Sequence, residues 1–436
     1  METTETTNTT NPVYTLLDKG KLFFKAVIIF IMAFFLWIPT NLIREVINER
    51  ENRQKEAIEE VSSKWAGKQT ITGPVLMIPY IGTSNGLVNQ KKYAWFMADQ
   101  LDISSSVSPQ KRHRGIYEIA VYQGDIFIKA QFNDIKVKEL NVAPANLLWS
   151  EAKLLVQISD LSRGVNEEIY IKWKDSSFLC QPWAETNTNI GDALYASVPL
   201  KAEDADTQNV FTVKFSLHGS QQLMFSPAAR ETKIQMTGNW PDPSFTGIKI
   251  PETPNASDSS IDVKWKYLNR NNPMVWNDQF IDLKPSAMGA NLIIPVDGYD
   301  KTERSVKYAL LCIILTFAAF FLIETIYKRN LHLIQYGLAG CALVLFYTLL
   351  LSISEYVGFN FAYLIAGIAT IGLVTWFVGS IMKSGKLAIF IGFVLTVVYG
   401  YIFTIIQLQD YSLLMGSIGL FIALGIIMYF SRKLQW

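Results

Sequence analysis

The residues able to do chemistry in this 436-residue chain are few and widely spaced. Its three histidines, His113, His218 and His332, share no motif with a cysteine, a glutamate or one another at metal-ligand spacing. Neither a metal site nor a cofactor site is expected. There is no glycine-rich phosphate loop, no Gly-x-Ser-x-Gly elbow and no His-Glu-x-x-His. Ser380-Ile-Met-Lys383 matches Ser-x-x-Lys in form, but it closes an apolar run beside a basic loop, where Lys383 reads as a topology charge. With no nucleophile beside a base in a recognisable motif, the chain reads as a non-enzyme without catalytic residues.

Two acids remain within apolar runs, Glu324 and Glu355. A charge at mid-membrane costs roughly 3 kcal/mol or more and is kept for function, yet both sit near the ends of their runs. Glu324 lies one turn before Lys328, its simplest partner. Glu355 closes a run together with Ser352, Ser354 and Asn360, and these four form the candidate functional cluster. Glu324 and His332 are secondary candidates. Tyr356 and Tyr363 flank the cluster, as suits the membrane interface. Glu355 is expected to accept hydrogen bonds from the domain above or from a stalk helix carrying Arg44, Arg50 and Arg53.

The elements that position these residues are written in hydropathy. Residues 333–353 carry no formal charge, and about 21 residues at ~1.5 Å each cross a ~30 Å hydrocarbon core. Four more runs, 306–326, 361–382, 387–406 and 413–430, complete a five-span C-terminal bundle. An earlier run, 26–43, follows Lys19, Lys21 and Lys25 and lacks a small-x-small cleavage site, so it is an uncleaved anchor. Pro39 should bend it. Basic pairs at Lys328-Arg329, Lys383 with Lys386, and Arg432-Lys433 alternate with loops carrying Glu355 and Asp410. The positive-inside rule then places both termini in the cytoplasm and residues 44–301 in the periplasm.

Between the membrane segments, 44–65 reads as a charged helical stalk with i, i+4 pairs Glu49–Arg53, Glu51–Lys55 and Glu60–Lys64. After Gly67 the period changes to two: 211–217 and 261–267 alternate as half-buried strands. Gly124-Asp125 predicts a hairpin turn within 116–132, and shorter strands fit 75–80, 93–97, 154–158, 169–173, 233–237 and 292–295. The segments Trp173 to Phe178 and Trp240 to Phe245 echo one another, so the domain is one sandwich or two linked β units.

The expected fold is therefore a membrane α-helical bundle plus an all-β periplasmic domain. Its parts are a disordered cytoplasmic tail (1–20), a first span (21–43), the stalk (44–65), the β domain (66–302) and the five-helix bundle (303–436). A net charge of +1 gives no case for nucleic acid. Three cysteines, two of them in apolar runs, build no disulfide framework.

Several segments carry a family resemblance. Leu315-Thr-Phe-Ala-Ala-Phe-Phe-Leu-Ile-Glu324, His332-Leu-Ile-Gln-Tyr336, Ala342-Leu-Val-Leu-Phe-Tyr347, Leu350-Leu-Ser-Ile-Ser-Glu355 and Gly358-Phe-Asn-Phe-Ala-Tyr363 resemble the CreD family of bacterial inner-membrane proteins. Gly73-Pro74, Arg114-Gly-Ile-Tyr117, Gly219-Ser-Gln-Gln-Leu223, Arg230-Glu-Thr232, Asn239-Trp240 and Phe245-Thr-Gly247 look like its periplasmic signatures. Tyr356 departs from the pattern, which has His after Ser-Glu. The resemblance implies an inner membrane of a Gram-negative envelope and an envelope-stress response tied to a two-component regulator. It also implies a link to envelope integrity, colicin tolerance and β-lactam susceptibility. The expected partners are the lipid bilayer and a periplasmic or membrane protein. The alternative is a lipid-handling or transporter-like membrane protein.

Overall fold

The structure is a computed structural model and describes residues 12–431 apart from 85–86, 141, 185–189, 241–242, 258–259, 293–296, 328–330 and 409–410. The chain forms two compact units, Met1–Gln54 with Pro295–Trp436, and Lys55–Ile294.

The first unit is helical. Two helices, α1 (Pro12–Phe35) and α2 (Trp37–Trp65), open it, and the unit boundary falls inside α2. The disordered tail expected over 1–20 holds at most in part: residues 1–11 lie outside the described residues, and α1 already begins at Pro12. Proline at a helix start loses nothing, since its missing N–H would be unpaired there anyway. The interruption between α1 and α2 comes at Leu36, in the turn before Pro39. Pro39 has no N–H for the Phe35 carbonyl and its ring crowds that carbonyl, so the helix is interrupted one turn upstream.

A single turn, α3 (Leu161–Gly164), belongs to the second unit. The chain returns to the first unit with α4 (Asp297–Lys307), whose first residues the sequence assigns to the β domain ending at 302. Tyr299, Thr302, Ser305 and Val306 are buried on one face of α4, while Glu303 and Lys307 pair at 3.1 Å on another. That spacing is helical. Then come α5 (Ala309–Ile326), α6 (Leu333–Val357), α7 (Phe359–Met382), α8 (Gly385–Gln407) and α9 (Ser412–Ser431). Gly358, at φ +78°, lets α6 stop and α7 start within one residue.

Among the described residues, five helices are long and apolar enough to cross a membrane, beginning with Phe23–Trp65, and the shorter apolar stretch Leu414–Ile426 follows them. Large apolar side chains also face outward, including Phe24 at 69%, Trp376 at 71% and Phe421 at 79% exposed. A helix apolar on all sides needs lipid or protein around it.

The second unit is a mixed β-sandwich. One sheet contains β13 (Ser244–Gly247), β17 (Met288–Asn291), β11 (Gln222–Ser226), β1 (Gln69–Ser84), β5 (Lys153–Ile158), β9 (Ala193–Ser197) and β8 (Gln181–Pro182) in that order. Off this path, β2 (Leu87–Phe96) pairs with β1, and β16 (Val275–Asn277) pairs with β2. The other sheet runs β14 (Thr253–Ser257), β15 (Ser260–Leu268), β12 (Ala229–Gly238), β3 (Ala98–Arg114), β4 (Tyr117–Phe132), β10 (Asn209–Ser220), β6 (Tyr170–Trp173), β7 (Ser176–Leu179). Parallel pairs β1–β11 and β12–β3 tie early and late strands together in both sheets. The core between them includes Trp95, Trp265, Phe132, Phe211 and Phe225, all under 2% exposed.

The hairpin expected at Gly124-Asp125 is absent. β4 continues through both residues, pairing Gly124 with Val107 on one side and Leu217 on the other. Tyr122, Gly124, Ile126, Ile128 and Ala130 stay buried in unbroken alternation, and a reversal would have cost that phase. The turn sits instead at Gly115-Ile116, with Gly115 at φ +61°. The two echoing Trp segments also diverge. Trp173 leads into the β6–β7 pairing within one sheet, whereas Trp240 lies two residues past the end of β12, before the chain crosses to β13 in the other.

Candidate functional site

The candidate cluster divides among three different sets of partners. Glu355, near the end of α6, accepts a hydrogen bond from the Tyr299 hydroxyl at 3.0 Å, and Arg50 Nε on α2 stands 3.7 Å from the same oxygen. Its side chain is only 9% exposed, against 40% for Arg50. Asn360, at the start of α7, accepts instead from Gln407 Nε2 at the end of α8, 2.5 Å away. Ser354 donates back to the Leu351 carbonyl at 2.9 Å, and Ser352 is exposed. Arg50 is thus the cation that faces Glu355 among the three stalk arginines. Tyr299 came without a sequence signal, because the first residues of its helix fall within the bounds that the sequence assigns to the β domain.

The helix α4 places Tyr299. It packs across α6, α7 and α8 with Thr302 and Ser305 wholly buried, and Thr302 satisfies its hydroxyl on the Gly298 carbonyl at 2.6 Å. Such back-bonding keeps a polar side chain compatible with a buried helix face.

At the far end of α5, Glu324 does not await Lys328, which lies outside the described residues. Its Oε1 is bonded to Lys25 Nζ of α1, and its Oε2 accepts from the Tyr336 hydroxyl of α6 at 2.9 Å. Lys25 also donates to the Leu331 carbonyl at 2.6 Å. Tyr336 is fully buried, with Phe317 and Phe320 edge-on to its ring. His332 is a helix cap. Its Nδ1 accepts from the Ile334 amide at 3.3 Å while Gln335 Oε1 takes the His332 amide at 3.0 Å, a reciprocal capping box.

The two acids therefore share one composition: a carboxylate on the bundle, a cation on α1 or α2, and a tyrosine hydroxyl. Between them α1 packs on α6 through small residues. Gly337 faces Met32, and a Cβ at Gly340 would fall 2.2 Å from Leu36 Cδ1. Close approach of this kind is how helices associate where no hydrophobic force acts between them.

Deeper in the bundle, Tyr347, Tyr363 and Tyr399 on α6, α7 and α8 are buried around the Phe346 ring, and Cys312 on α5 is buried as well. Tyr363 donates to the Tyr399 carbonyl at 2.9 Å and Thr316 to the Cys312 carbonyl at 2.7 Å. Among the described residues no three His, Cys, Asp or Glu side chains gather into a metal-binding group. Lys383 caps α7 in the left-handed conformation, at φ 47°.

In the second unit the end of α2 is fastened to the sandwich, so the stalk is not solvated on all sides there. Ser220 Oγ donates to Ser62 Oγ at 2.8 Å, Trp65 meets His218 edge-on, and Arg112 lies over the Trp65 ring at 5.1 Å. Asp160 accepts from the Gly67 amide at 2.8 Å and pairs with Arg163 at 2.9 Å, and Arg163 in turn donates to the Ser63 carbonyl at 2.9 Å. Burial pushes the Asp160 carboxyl up, but Arg163 and the Gly67 amide outweigh it and hold it below the usual carboxylate range.

A family model described as inner membrane protein CreD matches residues 21–436. Inner membrane protein CreD of Escherichia coli (strain K12) is 28% identical over 431 residues, covering 96% of this chain and 94% of that protein. With an N-terminal apolar helix, a mostly β unit and C-terminal apolar helices in place, the chain belongs to the CreD family of inner membrane proteins.

Proposed function

We propose that this protein is a non-enzymatic, multi-pass inner-membrane protein that contributes to cell-envelope integrity and to the response to envelope stress and antibiotics through a periplasmic β domain. Its termini lie in the cytoplasm and residues 44–301 in the periplasm. The observation that carries the reading is the use made of the two bundle acids. Glu324 and Glu355 stand near opposite ends of the spans, each joined to a cation of the N-terminal helices and a tyrosine. Ion-coupled transport calls for ionisable groups near mid-membrane. Here the charges fasten the helix that leads into the β unit. The partners suited to such a protein are the bilayer and a periplasmic or membrane protein.

Deleting the gene and challenging cells with detergent and cell-wall antibiotics tests the biology, with raised sensitivity expected. Unchanged sensitivity under every envelope stress would remove the reading. Reporter fusions after Lys328 and Lys383 should report cytoplasm, and fusions near Asn360 and Asp410 periplasm; one inversion would mean a miscounted span.

One observation favours the alternative of a lipid-handling or transporter-like protein. An apolar groove of about 870 Å³ opens between α5, α8 and α9.

A further inference from the structure

The groove has a length and a charge. Leu322 on α5, Phe390, Phe393 and Val397 on α8, and Ile422 on α9 line it, and Tyr327 stands at one end. The groove residues run from Phe390 to Ile402 on α8, about 18 Å of helix, and from Leu311 on α5 to Tyr327 at its end, about 24 Å, which is length enough for an acyl chain reaching from one face past the middle of a ~30 Å hydrocarbon core. Tyr401 lines the far end. Its hydroxyl donates to the Met415 carbonyl of α9, and its ring lies where a Cβ at Gly419 would meet it at 2.3 Å. No side chain larger than glycine fits there.

At the other end the same helix face turns basic. Lys386 precedes Phe390 by four residues and so lies on the groove's stripe of α8, at the side of the bundle where α5 and α7 end. Lys383, the cap of α7, precedes it by three residues, and both lysines are exposed without an acidic partner among the described residues. Tyr327, 58% exposed, adds an aromatic ring of the kind favoured at the headgroup level.

We infer that the groove between α5, α8 and α9 binds one anionic phospholipid of the leaflet on the Lys386 side, with an acyl chain along Phe390, Phe393 and Val397 and the phosphate at Lys386. The groove supplies apolar length and the lysine supplies the charge selection. The site rests on the lipid-handling reading for its occupant alone; a lipid held as a structural part of the bundle fills it equally well.

The test is lipid retention by the purified full-length chain. Native mass spectrometry counts bound phosphatidylglycerol and, in a separate titration, phosphatidylcholine with the same acyl chains. One phosphatidylglycerol per chain should be retained about fivefold more tightly than phosphatidylcholine, the preference expected of one lysine near a membrane surface. Lys386→Gln should abolish that preference and Lys386→Arg should keep it. Ala423→Trp, which fills the groove from α9, should release both lipids. If that variant does not elute as the wild type does, Ala319→Phe fills the groove from α5 instead. Equal retention of the two lipids, a preference that survives Lys386→Gln, groove-filling variants that bind as the wild type does, or a dimer whose groove takes neither lipid would each overturn the site. Lipid loss with envelope protection intact would leave the envelope reading standing, whereas normal lipid retention without an envelope phenotype would sink that reading alone.

Discussion

Lys25 and Glu324, 299 positions apart in the chain, form an ion pair near one end of the helix bundle. The Glu324 side chain is 9% exposed and that of Lys25 23%. Removing one member of a buried pair leaves the other charge uncompensated, which costs about 3 kcal/mol, while replacing both with apolar groups is close to neutral. Glu324→Leu should therefore lower the stability of the detergent-solubilised protein by about that amount, and Lys25→Met with Glu324→Leu should recover most of it. Thermal unfolding of the four proteins of this cycle is the measurement. A double variant as unstable as Glu324→Leu would show that the loss comes from the Tyr336 bond rather than from the stranded lysine.

The acid side of the stability profile should belong in part to Asp160. Its carboxyl titrates lower in the folded chain than in the unfolded one, where an aspartate has a pKa of about 3.9. Stability from this group is thus fully present above roughly pH 4 and is lost as pH falls through the lowered folded value. Asp160→Asn should be destabilised relative to wild type at neutral pH, with the gap narrowing as pH falls below about 4. Chemical denaturation at pH 7 and pH 3, followed by fluorescence of the β unit, checks the sign. A gap that widens in acid would contradict it.

Cys180 should be sluggish toward alkylating reagents. Burial pushes its thiol up to about 12, whereas an ordinary cysteine titrates near 8.5, so its thiolate fraction at pH 8 falls by roughly two thousandfold. Alkylation by iodoacetamide, followed by peptide mass spectrometry, should be slow in the folded protein and rapid in denaturant. Equal rates in the two would show that Cys180 is open to solvent.

Sheet closure hangs on Gly289. β17 pairs with β11 on one side and β13 on the other, and a Cβ at Gly289 would stand 2.2 Å from the Leu223 carbonyl oxygen, which is backbone and cannot rotate away. Gly289→Ala should cost the β unit more than 2 kcal/mol or so, as overpacking does. Gly337→Ala, whose added Cβ would meet only Met32 Sδ at 3.7 Å, should be nearly silent. Limited proteolysis of the purified chain distinguishes the two, and matching digestion patterns would refute the contrast.

The layout was legible because each part depends on a local quantity. Uncharged runs near 20 residues mark spans, and period-two stretches such as Phe211 to Leu217 mark strands. Gly124-Asp125 misled because dipeptide chemistry was weighed above alternation that stays in phase across it. The polar strand β3 carries little signal beyond Leu101, Ile103 and Val107, because another of its inward positions is Ser105. Partners across the chain were the least legible. Nothing local tells that Lys25 meets Glu324 rather than acting as a flanking charge, or that Tyr299 sits on a helix facing Glu355. The stalk arginines were visible as donors, but only packing selects Arg50 among Arg44, Arg50 and Arg53.

Glu355 gives the last prediction. It accepts from Tyr299 on α4 and faces Arg50 on α2, so it joins the helix that enters the β unit to the helix that follows it. Glu355→Gln keeps the size of the side chain and an oxygen for Tyr299, but it removes the charge that holds Arg50. A partly desolvated charge-assisted contact contributes about 1–3 kcal/mol, enough to hold or release a helix without unfolding the bundle. Glu355→Gln should therefore weaken protection against detergent and cell-wall antibiotics while leaving membrane insertion and protein level unchanged, and Arg50→Gln should do the same. Combining the two should add little, because each alone already breaks the pair. Tyr299→Phe, which spares the charges, should have a smaller effect. Full protection by Glu355→Gln at wild-type abundance would show that this acid is only a helix end, and additive effects of the two substitutions would show that Arg50 acts elsewhere.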